Sequence, residues 1–176
     1  RELIGTESLP KVLVALSGGA DSTAMLFLFL RYREKYPMDL CALHVHHGIR
    51  GSEADRDLDF CRELCQRQKV SFRSAFVQAP EYAAKEKKSL EEAARILRYR
   101  ELERVAEEER CTHIATAHNA DDQLETLLFR LVRGCGTKGA AGIPEKRGRF
   151  LRPMLSFTKE EILAFCEEEK LPFVFD

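Results

Sequence analysis

The chain has 176 residues, of which 44% are hydrophobic and 32% charged, and its formal net charge is −1. This length suits one folded domain with a substantial core, and the composition is ordinary for a globular protein. The longest apolar run, residues 24–30, is too short to cross a bilayer, so we predict no association with a membrane.

Six cysteines are present, and no two of them form a C-x-x-C pair. Cys61 and Cys65 are four residues apart in a helical pattern, which places them on one face. A chain of this length does not need a disulfide framework, so we expect mostly buried free thiols and a reducing, cytoplasmic location.

Basic residues are concentrated between residues 126 and 155, where Glu145 is the only acid. Such a block suits a phosphate backbone, and chance clustering on a solvated surface is the alternative. The basic residues of this block are Arg130, Arg133, Lys138, Lys146, Arg147, Arg149 and Arg152.

The first half of the chain alternates apolar strands with helices. Residues 11–16 form a short apolar run, which predicts a buried parallel strand that ends in a tight turn. Residues 21–36 predict a helix that is apolar on nearly all sides, and residues 40–46 predict a second strand. We expect Ser52 to cap a polar helix that runs to about residue 69, ahead of a third strand at 72–77.

The second half continues this alternation. Ser89 and Glu92 have the spacing of a capping box, which predicts a helix from Ser89 to about residue 109. A fourth strand is predicted at 113–117, followed by a helix at 121–133. The remaining predicted elements are a glycine-rich basic loop at 134–149, a short fifth strand at 150–154, a capped helix at 158–170 and the start of a further strand at 173–175.

This order of elements predicts a doubly wound α/β fold, in one domain spanning residues 1–176. We expect a mainly parallel, five-stranded sheet with helices on both faces. In such sheets a ligand binds beyond the carboxyl ends of the strands, where the strand order reverses. The motifs that carry chemistry in this sequence lie at such strand ends.

The first motif joins the first strand to the first helix. Its two glycines let the backbone approach an anion closely, and the helix that follows directs free N–H groups and its positive dipole end at that anion. Two serines add hydroxyl donors, and Asp21 is placed where a divalent ion could bridge to phosphate. A plain strand–helix turn is the alternative. The motif comprises Ser17, Gly18, Gly19, Ala20, Asp21 and Ser22.

A second group of side chains follows the fourth strand. His118 and Asp122 are four apart across a predicted helix start, and Asp122 and Glu125 are three apart, so all three can face one cleft. Asp21, Asp122 and Glu125 are therefore candidate ligands of Mg²⁺, and the acids of this helix start could instead hold a cationic substrate. Acids that stabilise the helix dipole are the alternative.

Two arginines on the third predicted helix can converge on an anion. Arg95 and Arg98 are three residues apart, which places them on one face. One of them could neutralise a phosphate as charge builds in a transition state. Intrahelical pairing of Arg95 with Glu91 is the alternative for Arg95.

Two further patterns fail their context tests. His44 and His46 share one face of a strand, but no further residues complete a four-ligand zinc set at the usual spacing. Residues 134–139 match G-x-G-x-x-G, yet they follow a predicted helix rather than a strand, so a dinucleotide site is not indicated.

Residues 17–22 resemble the signature of the PP-loop ATP pyrophosphatases, which cleave ATP between the α and β phosphates. In their order and spacing, further motifs resemble the tRNA(Ile)-lysidine synthetase family, and the match extends from residue 17 to residue 155. These motifs are residues 44–50, 91–99, 117–126, 130–136 and 152–155.

The resemblance implies ATP and Mg²⁺ as ligands, with free L-lysine and an isoleucine tRNA that has a CAU anticodon as substrates. O2 of the wobble cytidine would be adenylated with release of pyrophosphate, and the lysine ε-amine would attack C2 and expel AMP. Family members carry further tRNA-binding domains, which we expect to be absent from this chain, and a homodimer is one candidate oligomeric state.

The resemblance also implies roles for individual residues. The catalytic candidates are Asp21, Arg98, His118 and Asp122, and Arg95 joins residues 17–22 as an ATP-binding candidate. The RNA-contact candidates are Arg130, Arg133, Lys138, Arg147 and Arg149.

Three alternatives stay open at this point. A tRNA thiolase of the same superfamily would use cysteines, often as C-x-x-C pairs, and here Cys135 alone lies near the predicted site. A non-catalytic ATP-binding module would need neither the acids nor the arginines. A glutamine-dependent synthetase would need a glutaminase segment, which this sequence does not contain.

Overall fold

The computed structural model of the protein describes residues 9–49, 51–132 and 142–175. The strands in this part of the chain are β1 (Lys11–Ala15), β2 (Asp39–His46), β3 (Ser71–Phe76), β4 (His113–Ala115), β5 (Lys146–Arg147) and β6 (Phe150–Leu151). The helices are α1 (Ala20–Lys35), α2 (Ser52–Arg67), α3 (Ala79–Glu86), α4 (Leu90–Glu108), α5 (Ala120–Val132) and α6 (Lys159–Glu168).

The strands form one sheet in the order β3-β2-β1-β4-β6-β5. All neighbouring pairs are parallel except β5 and β6, which form an antiparallel hairpin around Gly148 at φ +60°. The doubly wound α/β fold is therefore confirmed. The predicted five strands become six in the described part of the chain, because the loop before β6 adds an edge strand.

The strand order reverses between β1 and β4. From β1 the chain moves outward to β2 and β3, and then returns to place β4 on the other side of β1. The loops after β1 and β4 therefore diverge at the carboxyl end of the strands and leave a crevice between them, which is where such folds bind their ligands.

Hydrophobic clusters cover both faces of the sheet. Val14 belongs to the cluster that contains Met25 of α1 and Ile162 of α6, whereas its neighbour Leu13 packs with Leu102 of α4. Successive residues of a strand point to opposite faces, so each buried strand contributes to both clusters. This packing holds the amino ends of α1 and α6 on one side of the crevice and α4 on the other.

Of the three capped helix starts that the sequence predicts, the structure confirms two. Ser89 caps α4 by accepting a hydrogen bond from the backbone N–H of Glu92, and Thr158 forms a full capping box at the start of α6. The prediction that Ser52 caps α2 is wrong: Ser52 is the first helical residue, and Gly51 precedes it without a side-chain cap.

Two segments differ from the prediction. Residues 173–175 were expected to begin a strand, but they form no strand, and the amide of Val174 donates instead to the carbonyl of Gly18. Helix α3 was not predicted, and it begins with Pro80 in its first turn, where the missing N–H costs nothing.

Helix α5 has no buried residue among its described side chains. Leu124, Leu128 and Phe129 are each more than half exposed.

In the part of the chain that the structure describes, no helix combines the length and the apolar character needed to cross a membrane.

Candidate active site

A cavity of about 700 Å³ opens at the carboxyl ends of β1, β2 and β4. It lies where the strand order reverses, which is the position at which this fold is expected to bind a ligand. Among the predicted site residues, its lining contains Ser17, Gly19, Asp21, Ser22, Arg98, His118 and Asp122.

The loop between β1 and α1 is organised by Ser22, which is only 5% exposed. The Ser22 hydroxyl accepts hydrogen bonds from the backbone N–H groups of Ser17 and Gly18 and donates to the carbonyl of Gly19. This hydroxyl was predicted to be a donor to the ligand, but here it holds the loop together. The anion donors of the loop must therefore be mainly backbone groups.

The first turn of α1 offers such backbone donors. Gly19 precedes the helix without a side-chain cap, and the first intrahelical bond runs from Thr23 N–H to the Gly19 carbonyl at 3.0 Å. The N–H groups of residues 20–22 precede that bond and have no acceptor within the helix. A helix amino end of this kind, beside a cavity, is a phosphate-binding arrangement.

The carboxylate of Asp21 is held from two sides. Its Oδ2 lies 2.6 Å from Nζ of Lys159, the first residue of α6, and its Oδ1 accepts from Nδ2 of Asn119 at 3.4 Å. Sequence reasoning missed both partners. Asn119 belongs to the motif that the resemblance used, whereas Lys159 had no signal beyond its place after the cap of α6.

Asn119 also fixes Asp122. Oδ1 of Asn119 accepts from the backbone N–H of Asp122 at 3.0 Å, and Oδ2 of Asp122 accepts from the backbone N–H of Asn119 at 2.8 Å. This reciprocal cap starts α5 and fixes the orientation of the Asp122 carboxylate at the cavity.

His118 is an uncharged imidazole at neutral pH. Its pKa is lowered to about 4, mainly by burial and also by the positive charges of Arg152 and Arg98, while the charge of Asp122 opposes the shift. Nδ1 of His118 lies 3.1 Å from the Thr116 hydroxyl, which positions the ring. A neutral, oriented imidazole in a cleft can accept a proton from a substrate.

The two arginines of α4 separate in the structure. Arg98 is half-buried in the cavity wall, and burial lowers the pKa of its guanidinium. Arg95 is exposed and does not contribute to the lining. Both guanidinium groups lie 6.0 Å from the ring centroid of Tyr99. Of the two, Arg98 is the one that lines the cavity.

The remaining predicted residues lie away from the cavity or outside the described chain. Glu125 is exposed and is not part of the lining, and no group of three His, Cys, Asp or Glu side chains in the described ranges is close enough to hold a metal ion alone. Arg130 lies in the last turn of α5. Arg133, Cys135 and Lys138 lie outside the described residues.

Arg147 and Arg149 belong to the β5–β6 hairpin. The carbonyl of Arg149 accepts from the N–H of Ile114 in β4, and β6 runs parallel to β4. Arg149 therefore precedes β6 at the amino end of the parallel strands, whereas His118 follows β4 at their carboxyl end. Any contact of this hairpin with RNA would be remote from the cavity.

The chain matches the family model described as a PP-loop domain over residues 1–176. It is 38% identical over 162 residues to the tRNA(Ile)-lysidine synthase of Clostridium acetobutylicum, covering 92% of this chain and 35% of that protein. It is 40% identical over 170 residues to the tRNA(Ile)-lysidine synthase of Thermosipho africanus, covering 97% and 40%. The chain thus spans about a third to two fifths of the length of these curated relatives.

Two solved structures share the fold. The U34-tRNA thiolase NcsA from Methanococcus maripaludis, with its 4Fe-4S cluster, gives a TM-score of 0.82 at 23% identity over 99% of this chain and 63% of that one. The NH3-dependent NAD synthetase from Campylobacter jejuni gives 0.61 at 19% identity, covering 99% and 73%. The resemblance carried by residues 17–22 is confirmed, and the chain belongs to the PP-loop domain family.

Proposed function

We propose that this chain is the ATP-dependent catalytic domain of a tRNA(Ile)-lysidine synthase. The observation that carries this proposal is the convergence of three features on one cavity: the amino end of α1, Arg98, and the His118–Asp122 pair. The names of the curated relatives support the choice of tRNA(Ile) among the substrates that PP-loop proteins use.

The proposed reaction has two steps. O2 of the wobble cytidine attacks the α-phosphorus of ATP, and the bond to pyrophosphate breaks. The ε-amine of lysine then attacks C2, the C2–O2 bond breaks, AMP leaves, and the amine loses a proton. The free N–H groups at the start of α1 bind phosphate oxygens, and Arg98 neutralises charge that builds on the α-phosphate.

We assign the proton transfer to His118. Its low pKa keeps the imidazole neutral before ATP binds, and the positive charges of Arg152 and Arg98 contribute to that low value. Phosphate bound beside Arg98 offsets this positive charge and makes the imidazole a stronger base when the amine arrives. Asp122, whose charge also favours the protonated ring, stabilises the imidazolium.

Mg²⁺ fits this site as a companion of ATP rather than as a metal bound by protein alone. Asp21 and Asp122 both line the cavity, and Mg²⁺ in nucleotide sites usually takes one or two carboxylates together with phosphates and waters. These two residues would hold the ion, which when bound neutralises phosphate charge. Glu125, predicted to be a third ligand, is exposed and would not contact it.

A thiolase is the main alternative, since NcsA has the same fold. The five cysteines in the described ranges are free and buried. Burial raises the pKa of the thiols of Cys61, Cys65 and Cys111, the last to about 11. A buried thiol with a raised pKa is a poor nucleophile and a poor metal ligand, so these described cysteines are not suited to the sulfur chemistry of a thiolase.

The test is to incubate the full protein with ATP, labelled lysine and an isoleucine tRNA transcript that has a CAU anticodon. We expect AMP, pyrophosphate and labelled tRNA, whereas a transcript with a GAU anticodon stays unlabelled. AMP without labelled tRNA would support adenylation but overturn lysine as the nucleophile. A Cys135→Ser variant that lost activity would then point to sulfur transfer.

A further inference from the structure

Lys159 contacts the phosphate loop although it is 138 residues away in sequence. Its Nζ forms an ion pair with Oδ2 of Asp21 at 2.6 Å, and the Lys159 side chain is 46% exposed. Asp21 lies in the first turn of α1, beside the N–H groups of residues 20–22. Lys159 does not itself line the cavity, but its ammonium group contacts Asp21, which does.

The base of the Lys159 side chain is rigidly positioned. The backbone N–H of Lys159 donates to Oδ2 of Asp121 at 2.7 Å, and α6 begins with a capping box. Ile162 and Cys166 of α6 pack in the same core cluster as Ala20 of α1. The backbone at Lys159 is thus fixed to the starts of α1 and α5, while its flexible four-carbon stem lets Nζ move by a few ångströms.

The charges of the cavity call for another cation. Four carboxylates line it, those of Asp21, Asp57, Glu91 and Asp122, against the single guanidinium of Arg98. A bound triphosphate brings several more negative charges. In the described part of the chain, Lys159 is the lysine that pairs with the phosphate loop, and Asp21 is the carboxylate that a divalent ion would occupy.

We propose that Lys159 is a ligand of the β and γ phosphates of ATP and that Asp21 holds it in place until the nucleotide binds. With nucleotide bound, Nζ would turn to the phosphate oxygens and remain on pyrophosphate as it leaves, and Asp21 would be free to hold Mg²⁺. No covalent step involves Lys159. The inference rests on the proposed function only in that both need ATP at this loop.

The test compares two nucleotides that differ in these phosphates. Affinities of α,β-methylene-ATP and of AMP are measured by calorimetry with Mg²⁺, for the full protein and for Lys159→Met. We expect Lys159→Met to weaken α,β-methylene-ATP roughly 10- to 100-fold, the cost of one lost hydrogen bond to a charged group. AMP affinity should stay unchanged, and Lys159→Arg should retain most of the triphosphate affinity.

Lys35→Met is the matched control, because Lys35 is an exposed lysine in the last turn of α1, at the far end from Asp21. It should change neither affinity, and thermal unfolding verifies that each variant is folded. Equal losses for the triphosphate and AMP would overturn the proposal in favour of a role in loop shape. No loss for either nucleotide would reduce the pair to a surface ion pair.

The binding assay contains neither tRNA nor lysine. If no lysine enters tRNA but Lys159→Met still weakens α,β-methylene-ATP and not AMP, the proposed function fails and this inference stands. If lysidine forms but Lys159→Met affects both nucleotides equally or neither of them, this inference fails and the proposed function stands.

Discussion

The backbone N–H of Val174 donates a 2.9 Å hydrogen bond to the carbonyl of Gly18. Val174 also lines the cavity, so the segment that follows α6 packs against the phosphate loop. Gly18 has a φ of +101°, and a Cβ there would lie 3.3 Å from side-chain atoms of Cys61 and Phe60 and 3.5 Å from Val174. The loop is therefore enclosed between α2 and the segment after α6.

Gly18→Ala should lower ATP affinity and cost about 1–2 kcal/mol of the free energy of unfolding, because a residue with a Cβ is strained at positive φ. Gly19→Ala is the matched control for stability: its φ is −69°, and its Cβ would meet the Ser17 hydroxyl at 3.8 Å. Urea unfolding and nucleotide titration measure the two effects. Equal stability losses in both variants would contradict the role of Gly18.

Asn119 has two roles that substitution can separate. Asn119→Ala removes both the cap of α5 and the bond to Asp21, so we expect about 1 kcal/mol of lost stability together with slower AMP formation. Asn119→Ser retains a capping hydroxyl but not the Nδ2 donor, so stability should be nearly kept while AMP formation still slows. Full activity in Asn119→Ser would show that Asp21 does not depend on this contact.

Local patterns explain how much of the fold was predictable. The alternation of apolar runs with capped polar segments is contiguous in sequence, so the first four strands and the starts of α4 and α6 follow from it. The phosphate loop is a contiguous motif as well. In contrast, residues 173–175 have a strand-like composition but form no strand. Their backbone donates instead to the carbonyl of Gly18, which is distant in sequence. Short-range patterns contain no information about such a partner.

The site was predictable to the same extent. Arg95 and Arg98 are equivalent by helical spacing, and only the packing of α4 on the sheet decides that Arg98 faces the cavity. The pairing of Lys159 with Asp21 depends on how α6 packs against α1, which no local pattern records. Spacing within a motif therefore indicates which residues can share a face, and tertiary packing decides which of them line the cavity.

The free energy of unfolding should fall as the pH drops from about 6.5 to about 4. Burial lowers the pKa of His47 and of His118 to about 4 in the folded protein, whereas an unfolded histidine titrates near 6.5. Below 6.5 the unfolded chain takes up protons first and is stabilised, and above 6.5 these two groups cause no loss. Urea unfolding at pH 7.5 and pH 5 measures the difference, with the two pH values chosen on either side of about 6.5.

His118→Gln should show a smaller loss of stability between these pH values than the unsubstituted protein. Glutamine does not titrate, so the contribution of His118 to the linked proton uptake is removed. An identical loss in the variant would mean that His118 is not the neutral, buried group on which the proposed proton transfer depends.

Arg98→Ala should slow AMP formation roughly 100- to 1,000-fold, the range seen when one preorganised donor to transition-state charge is removed. ATP affinity should fall far less, because the charge on the α-phosphate increases in the transition state. Arg95→Ala is the matched control, since both arginines lie over Tyr99 but Arg95 is exposed outside the cavity. Single-turnover AMP release and nucleotide titration separate the two effects. Equal rate losses in the two variants would contradict the assignment to Arg98.

The β5–β6 hairpin should contribute to tRNA affinity without affecting the chemical step. Arg149 lies at the amino end of the parallel strands, and the cavity lies at their carboxyl end. A contact of Arg147 or Arg149 with tRNA phosphate would therefore be remote from the reacting nucleotide. Replacing both by alanine should weaken tRNA binding and lower the slope of log affinity against log salt by about 1–2, one unit for each lost phosphate contact. AMP formation at saturating tRNA should stay unchanged. Lys35 and Lys85, two exposed lysines on other helices, provide a double-alanine control of equal charge change. An unchanged salt slope in the hairpin variant would place the RNA on another surface.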